Sequence, residues 1–353
     1  MADGRAIPPQ RGRGAQCRPP NRFSKWHLQP EAGDDELPSS LPTQLYEDVP
    51  RRIINTVSSP DVGLEYSANP YQGCEHGCVY CYARNTHTYW GWDAGLDFET
   101  RIIVKPHAAQ LLEKEITRPG YKVKPLMLSG NTDCYQPVER KLRLTRAMLE
   151  VLWKYRHPVS VITKNALILR DKDLLASMAA LRLANVTISI TTLQEPLRRL
   201  LEPRTVSASR RLAVVQQLTQ AGIPVHVNIA PVVPFLNSEE IPEIVRQAAA
   251  AGARSCSLIM VRLNGDVAVI FQDWLNRHFP QRAQRILQAI SDLHGGSLGD
   301  HRFGLRMRGE GHLADSIHDL FRLACKKYLG ENCMPELDCS QFRRPAAQGT
   351  LFA

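Results

Sequence analysis

No uncharged apolar run in the 353 residues reaches the roughly 18 positions that a membrane-spanning helix needs. The first twenty-five residues also lack the apolar stretch of a secretory signal. Their Arg-rich, acid-poor start has the charge of a transit peptide, but Pro8, Pro9, Pro19 and Pro20 oppose an amphipathic helix there. These absences predict a cytoplasmic protein with no membrane segment. A disulfide framework is out of place in that compartment, so the nine cysteines point to thiol chemistry or metal binding. Residues 1–50 also lack any sustained apolar period and are rich in Pro, Arg and Gly, which predicts a disordered arm.

The remainder has ordinary globular proportions, 43% hydrophobic and 22% charged, at a length sufficient for one large α/β barrel or two domains. The formal net charge of +9 leaves room for a polyanionic partner. Residues 139–170 carry eight basic side chains, including Arg146, Lys154, Lys164 and Arg170, against Glu139 and Glu150. Such a stretch suits either a solvated helix face or a phosphate-binding surface.

Short apolar runs alternate with helical periods in the manner of βα units around a parallel sheet. Six strands are predicted, at 64–69, 125–130, 159–164, 186–191, 223–230 and 254–261. Between them, Leu144, Ala147, Met148, Val151, Leu152 and Tyr155 recur at helical spacing, as do Ile241, Ile244, Val245 and Ala248 after an N-cap at Asn237 or Ser238. Period alone allows an open doubly wound sheet or a partial barrel, and both place ligands at the carboxyl ends of the strands. Helical segments dominate after residue 265. The expected organisation is an arm over 1–50, a core over 51–265 and a C-terminal helical extension over 266–353.

Cys74, Cys78 and Cys81 follow the first predicted strand in a loop that also holds Gly73 and Gly77. Three thiolates at this spacing can each hold one iron of a cubane cluster and leave the fourth iron open. A zinc site that recruits His76 or Cys134 as a fourth ligand is the alternative, and a non-catalytic redox sensor binding nucleic acid through residues 5–25 would be its function.

The loop resembles the CxxxCxΦC signature of the radical S-adenosylmethionine (SAM) superfamily, with Tyr80 in the aromatic position. Asn69–Tyr82, Gly95–Thr100, Asn131–Pro137, Thr163-Lys164 and Glu202-Pro203-Arg204 are similar to the spore photoproduct lyase-like branch, in particular its bacterial members without an assigned function. The resemblance spans roughly residues 50–345 and implies a partial (β/α)6 TIM-like barrel. It further implies a 4Fe-4S cluster on Cys74, Cys78 and Cys81 whose open iron is chelated by SAM. An electron from a reduced flavodoxin- or ferredoxin-type donor would then release a 5′-deoxyadenosyl radical that abstracts hydrogen from substrate. Nucleic acid is the substrate class expected first.

On the same footing, Ser129, Gly130, Asn131 and Thr132 stand where the superfamily holds the amino group of SAM, with Ser-Gly-Asn-Thr replacing the commoner Gly-Gly-Glu. Lys164 would meet the SAM carboxylate, and Ser189 and Thr191 ribose or carboxylate oxygens. Glu202 and Arg204 would form an ion pair or a ribose contact at the mouth. Cys134 would donate hydrogen to a product radical with Tyr135 as relay, or else fill a packed turn. Cys325, Cys333 and Cys339 match no compact cluster spacing.

Overall fold

The computed structural model describes residues 5–6, 9–23 and 41–344. Six parallel strands form the core in the order of the chain: Tyr66–Ala68, Leu126–Leu128, Val159–Thr163, Ala184–Ser189, Val225–Val232 and Ser255–Met260. All six fall on the predicted segments. Ile54–Thr56 adds antiparallel to the first, and the two edge strands of the sheet do not pair with each other, so the barrel is partial.

Alternation sets what each face does. Leu126, Leu128, Val159, Val161, Val186, Ile188, Val225 and Val227 are buried in one cluster with helix residues such as Met148, Leu152, Leu175 and Met178. The opposite, inner face is polar. Register places Thr187, His226 and Ser255 in one row and Ser189, Asn228 and Ser257 in the row above it. His226 joins the rows, with Nδ1 2.7 Å from Ser255 Oγ and Nε2 2.7 Å from Ser257 Oγ.

The helix Leu144–Lys154 buries Thr145, Met148, Leu149 and Leu152, a stripe turned by about one residue from the predicted one. The Thr145 hydroxyl, 2.7 Å from Cys134 O, anchors that rotation. The helix Ile241–Ala250 buries the predicted Ile241, Ile244, Val245 and Ala248. Asn237 does not cap it. Its side chain accepts from Val233 N and donates to Thr191 O and Pro231 O, fastening the fifth strand end to the fourth.

After the core, Asp266–His278 and Pro280–Leu293 bury Phe271, Trp274, Leu275 and Ile286 in a cluster with Val79 and Leu201. These two helices therefore pack over the cysteine loop, whereas His312–Tyr328 packs outside, on Ile241–Ala250. No described helix is long and apolar enough to cross a membrane.

Part of the expected arm is tied down. Ala15 and Cys17 are buried in the same cluster as Trp274, and Arg13 donates to Glu99 O at 2.7 Å and Leu41 O at 2.7 Å. Periodicity could not show this, because these contacts run to residues between 28 and more than 250 positions away. Gln44–Glu47 of the same arm pairs in parallel with Arg101–Val104, and residues 1–4, 7–8, 24–40 and 345–353 lie outside the described residues.

Candidate active site

The cysteine loop leaves the first barrel strand at Asn69 and passes through Tyr71–Gln72, which pairs antiparallel with Arg101–Val104. Two glycines then turn the chain. Gly73 and Gly77 have φ of 78° and 69°, and a Cβ on Gly77 would lie 2.7 Å from Glu99 Oε2. Cys74 N donates to Phe98 O at 2.9 Å, and Arg84 Nε donates to Cys78 O at 2.9 Å.

The three thiols are close enough to perturb one another. Burial pushes the Cys74 thiol well up, and Asp133, Cys78 and Cys81 push it further. Burial likewise raises Cys78, with Glu202 adding to the effect and Lys164 opposing it. For Cys81, burial is opposed by Arg84. An iron cluster fits this donor set, since metal binding draws off the protons that burial retains, and Arg84 and Lys164 compensate the thiolate charge.

Neither expected fourth ligand, His76 or Cys134, stands ready. His76 Nδ1 is 3.3 Å from Asp133 Oδ2, and its Nε2 is 3.1 Å from Asn165 Nδ2, so both ring nitrogens are engaged. Cys134 is fully buried in the main core cluster. Among the described residues, no three His, Cys, Asp or Glu side chains gather tightly enough for a single metal ion.

Asp133 ties three elements together. It accepts from Thr163 Oγ1 at 2.8 Å and Lys164 N at 2.9 Å, and its contact with His76 fastens the cysteine loop to the second and third strand ends. Burial alone would raise its carboxyl, but His76 and these donors hold it below the usual range. Of the Ser-Gly-Asn-Thr stretch, Ser129 takes a left-handed φ of 72° and its hydroxyl accepts from Cys134 N at 2.7 Å. That hydroxyl closes its own turn. Gly130 O accepts from the Tyr82 phenol. Asn131 is half-buried, and Thr132 is buried with Oγ1 lacking a hydrogen-bond partner. An orphaned buried hydroxyl at a strand end fits a ligand.

A second network centres on Glu202, which has no solvent exposure. It accepts from Tyr80 and from Arg211 Nη2, lies 2.6 Å from the Thr191 hydroxyl, and has Lys164 Nζ at 4.0 Å. Burial opposes its charge, yet Arg211 and Lys164 prevail and bring its carboxyl down to about 2. Ser189 is buried beside it, with its carbonyl held by Arg211 Nη1 at 3.0 Å.

Arg204 is not in this network. Its N donates to His76 O at 3.3 Å and its guanidinium meets Glu75 at 3.5 Å, so the expected Glu202–Arg204 pair is replaced by Glu202–Arg211. Cys134 and Tyr135 lie in the main core, where the Tyr135 phenol donates to Asp171 at 3.0 Å. Arg84 and Arg211 were missed as site residues because no motif marks them or their pairing with Glu99 and Glu202.

Four of the eight basic side chains of 139–170 meet carboxylates, Lys164 with Glu202 among them, whereas Arg140, Lys141 and Arg143 are exposed without an ion pair among the described residues. Arg146 meets Asp171 and Asp173, Arg170 meets Glu139 and Asp171, and Lys154 meets Glu113. Phosphate binding by Arg146, Arg170 or Lys154 would have to break those pairs.

Residues 68–248 match the family model described as the radical SAM superfamily. An uncharacterized protein of Mycobacterium tuberculosis (strain H37Rv) is 35% identical over 236 residues, 66% of this chain and 68% of the relative. One from Methanocaldococcus jannaschii is 29% identical, covering 53% of this chain and 66% of its own length. Among solved structures, spore photoproduct lyase complexed with dinucleoside spore photoproduct has the same fold at a TM-score of 0.57, with 17% identity over 86% of each chain. A variant of that lyase with bound AdoMet and the dinucleoside superposes at 0.55, with 16% identity over 86% of each chain. With its cysteine loop at the carboxyl end of six parallel strands, this chain belongs to the radical SAM superfamily of enzymes.

Proposed function

We propose that Cys74, Cys78 and Cys81 hold a 4Fe-4S cluster and that the enzyme uses it to cleave SAM reductively. Bound together, cluster and SAM supply a 5′-deoxyadenosyl radical that takes a hydrogen atom from substrate. The observation that carries this reading is the gathering of three thiols, two of them buried and that of Cys81 partly so, while both candidate fourth ligands, His76 and Cys134, are committed elsewhere.

The chain's own residues bind and orient. Thr132 Oγ1, with no partner of its own, and the half-buried Asn131 are positioned to hold polar groups of SAM. Lys164 presents its charge beside Tyr80, with Nζ 5.9 Å from the ring centroid, and suits the SAM carboxylate. Ser189 offers a hydroxyl on the inner face. Glu202, Thr191 and Arg211 fix Tyr80 and Lys164 rather than touch SAM. Ser129, Cys134 and Tyr135 belong to the turn and core that carry these groups. The helices over the loop help exclude water from the reacting centre.

Nucleic acid remains the substrate class we place first. Its support is the likeness of fold to a lyase complexed with a dinucleoside, together with an inner barrel face of serine, threonine, asparagine and histidine suited to a polar ligand. The paired arginines of 139–170 add nothing to it.

Anaerobic reconstitution followed by assay for 5′-deoxyadenosine under dithionite tests the reading. We expect product from the wild type and none from Cys78→Ala. A fully loaded wild type that makes no 5′-deoxyadenosine overturns it. Deuterium transfer from labelled oligonucleotides into 5′-deoxyadenosine then tests the substrate class.

A further inference from the structure

A cavity of about 330 Å³ is lined by Arg11, Arg13 and Arg204 together with Leu41, Pro42 and Thr43. Both of its basic walls are fastened to the cysteine loop. Gly14 packs so closely that a Cβ there would fall 1.8 Å from Gly77 O, and Arg204 N donates to His76 O at 3.3 Å. Arg11 is three residues from Gly14, a reach of at most about 10 Å. One layer of chain separates the loop from this arginine surface.

Among the described residues, the cavity holds more positive charge than its neighbours neutralise. Arg13 spends its donors on uncharged oxygens, Glu99 O, Leu41 O and Thr43 Oγ1. Arg11 is exposed and makes no ion pair among the described residues, and Arg204 has only Glu75 at 3.5 Å. Glu75 also accepts from Thr43 and Val138 N, while Glu99 is matched by Arg84. Burial and then Arg204 lower the Arg13 guanidinium, and Glu99 and Glu75 offset them only in part.

We propose that this arginine-lined cavity is the docking site of a small acidic electron-transfer protein of flavodoxin or ferredoxin type. The proposal rests on the function argued above. In the transfer the reduced donor loses one electron and the cluster gains it, and no bond forms or breaks. A nucleic-acid phosphate would satisfy the same arginines, but a substrate has to reach the barrel mouth. The cavity includes none of Thr132, Lys164 or Ser189, whereas an electron donor needs only to approach the loop.

The test uses reconstituted full-length enzyme, a bacterial flavodoxin and a bacterial ferredoxin, and the Arg11→Glu variant. Titration by fluorescence or calorimetry reads affinity at low and high salt, and 5′-deoxyadenosine formation is measured with each reduced protein and with dithionite. Reversing one rim charge should weaken binding of the acidic donor on the order of tenfold and slow the donor-driven reaction, with dithionite-driven turnover unchanged. Added salt should weaken wild-type binding in the same direction. The proposal is overturned if neither donor binds, if Arg11→Glu binds them as the wild type does, or if only affinity for a single-stranded oligonucleotide falls. Failure of the functional reading looks different: dithionite then gives no product from the loaded wild type, whatever the binding arm reports.

Discussion

Arg84 and Glu99 form an ion pair in which neither side chain is exposed, with Nη2 2.5 Å from Oε1. Each partner also holds a different part of the site. Arg84 donates to Cys78 O, Ala94 O and Gly95 O, while Glu99 accepts from Gly14 N and Ala15 N. The pair therefore clamps the cysteine loop between its own downstream helix and the N-terminal segment.

Removing one partner leaves a buried charge unmatched. Arg84→Ala should cost about 3–5 kcal/mol of stability and lower the iron retained after reconstitution. Denaturant unfolding together with iron analysis checks both. A cost below about 1 kcal/mol would show that the clamp is not structural.

Thr132→Val separates a ligand contact from a scaffold role by sign. Replacing an unsatisfied buried hydroxyl with a methyl should raise stability slightly, by up to about 1 kcal/mol. If Oγ1 meets SAM, affinity should fall about tenfold in the same variant, as measured by equilibrium dialysis with labelled SAM. Unchanged affinity would remove Thr132 from the binding site.

The Glu202 carboxyl lies at about 2 in the folded chain, below its unfolded value near 4.5. Its contribution is therefore fully present above the unfolded value and is lost as pH falls from about 4.5 through about 2. That contribution is on the order of 3 kcal/mol at neutral pH. The stability difference between wild type and Glu202→Gln should narrow as pH falls below about 4.5, which urea titrations across that range will reveal. A difference independent of pH would refute the assignment.

Cys134→Ala distinguishes a packed turn from a hydrogen donor. We expect a loss of about 1–2 kcal/mol from the small void and unchanged 5′-deoxyadenosine formation. A changed product distribution with unaltered folding would instead restore the donor role.

Much of the fold was legible in the sequence because strands buried against helices leave short apolar runs at regular spacing. The strand Val159–Thr163 stands out in this way, and the Cys74–Cys81 loop carries its chemistry within eight residues. Other features depend on distant partners. Glu202 lies two residues before Arg204, yet it bonds Arg211 and Tyr80 because the turn at Pro203 sends Arg204 to Glu75. Ser129, expected at the cofactor, has a left-handed backbone and a hydroxyl that accepts from Cys134 N, a contact no local pattern marks. Local periodicity also could not register that Arg13 reaches Glu99 across eighty-six positions.

The central claim is that three protein thiolates hold a cluster whose fourth iron is open to SAM. Electron paramagnetic resonance of the reduced, reconstituted protein, recorded with and without SAM, tests it most directly. The account predicts a 4Fe-4S signal that changes when SAM is added and that is lost in Cys78→Ala. A cluster signal unaltered by saturating SAM, or one retained in Cys78→Ala, would contradict it.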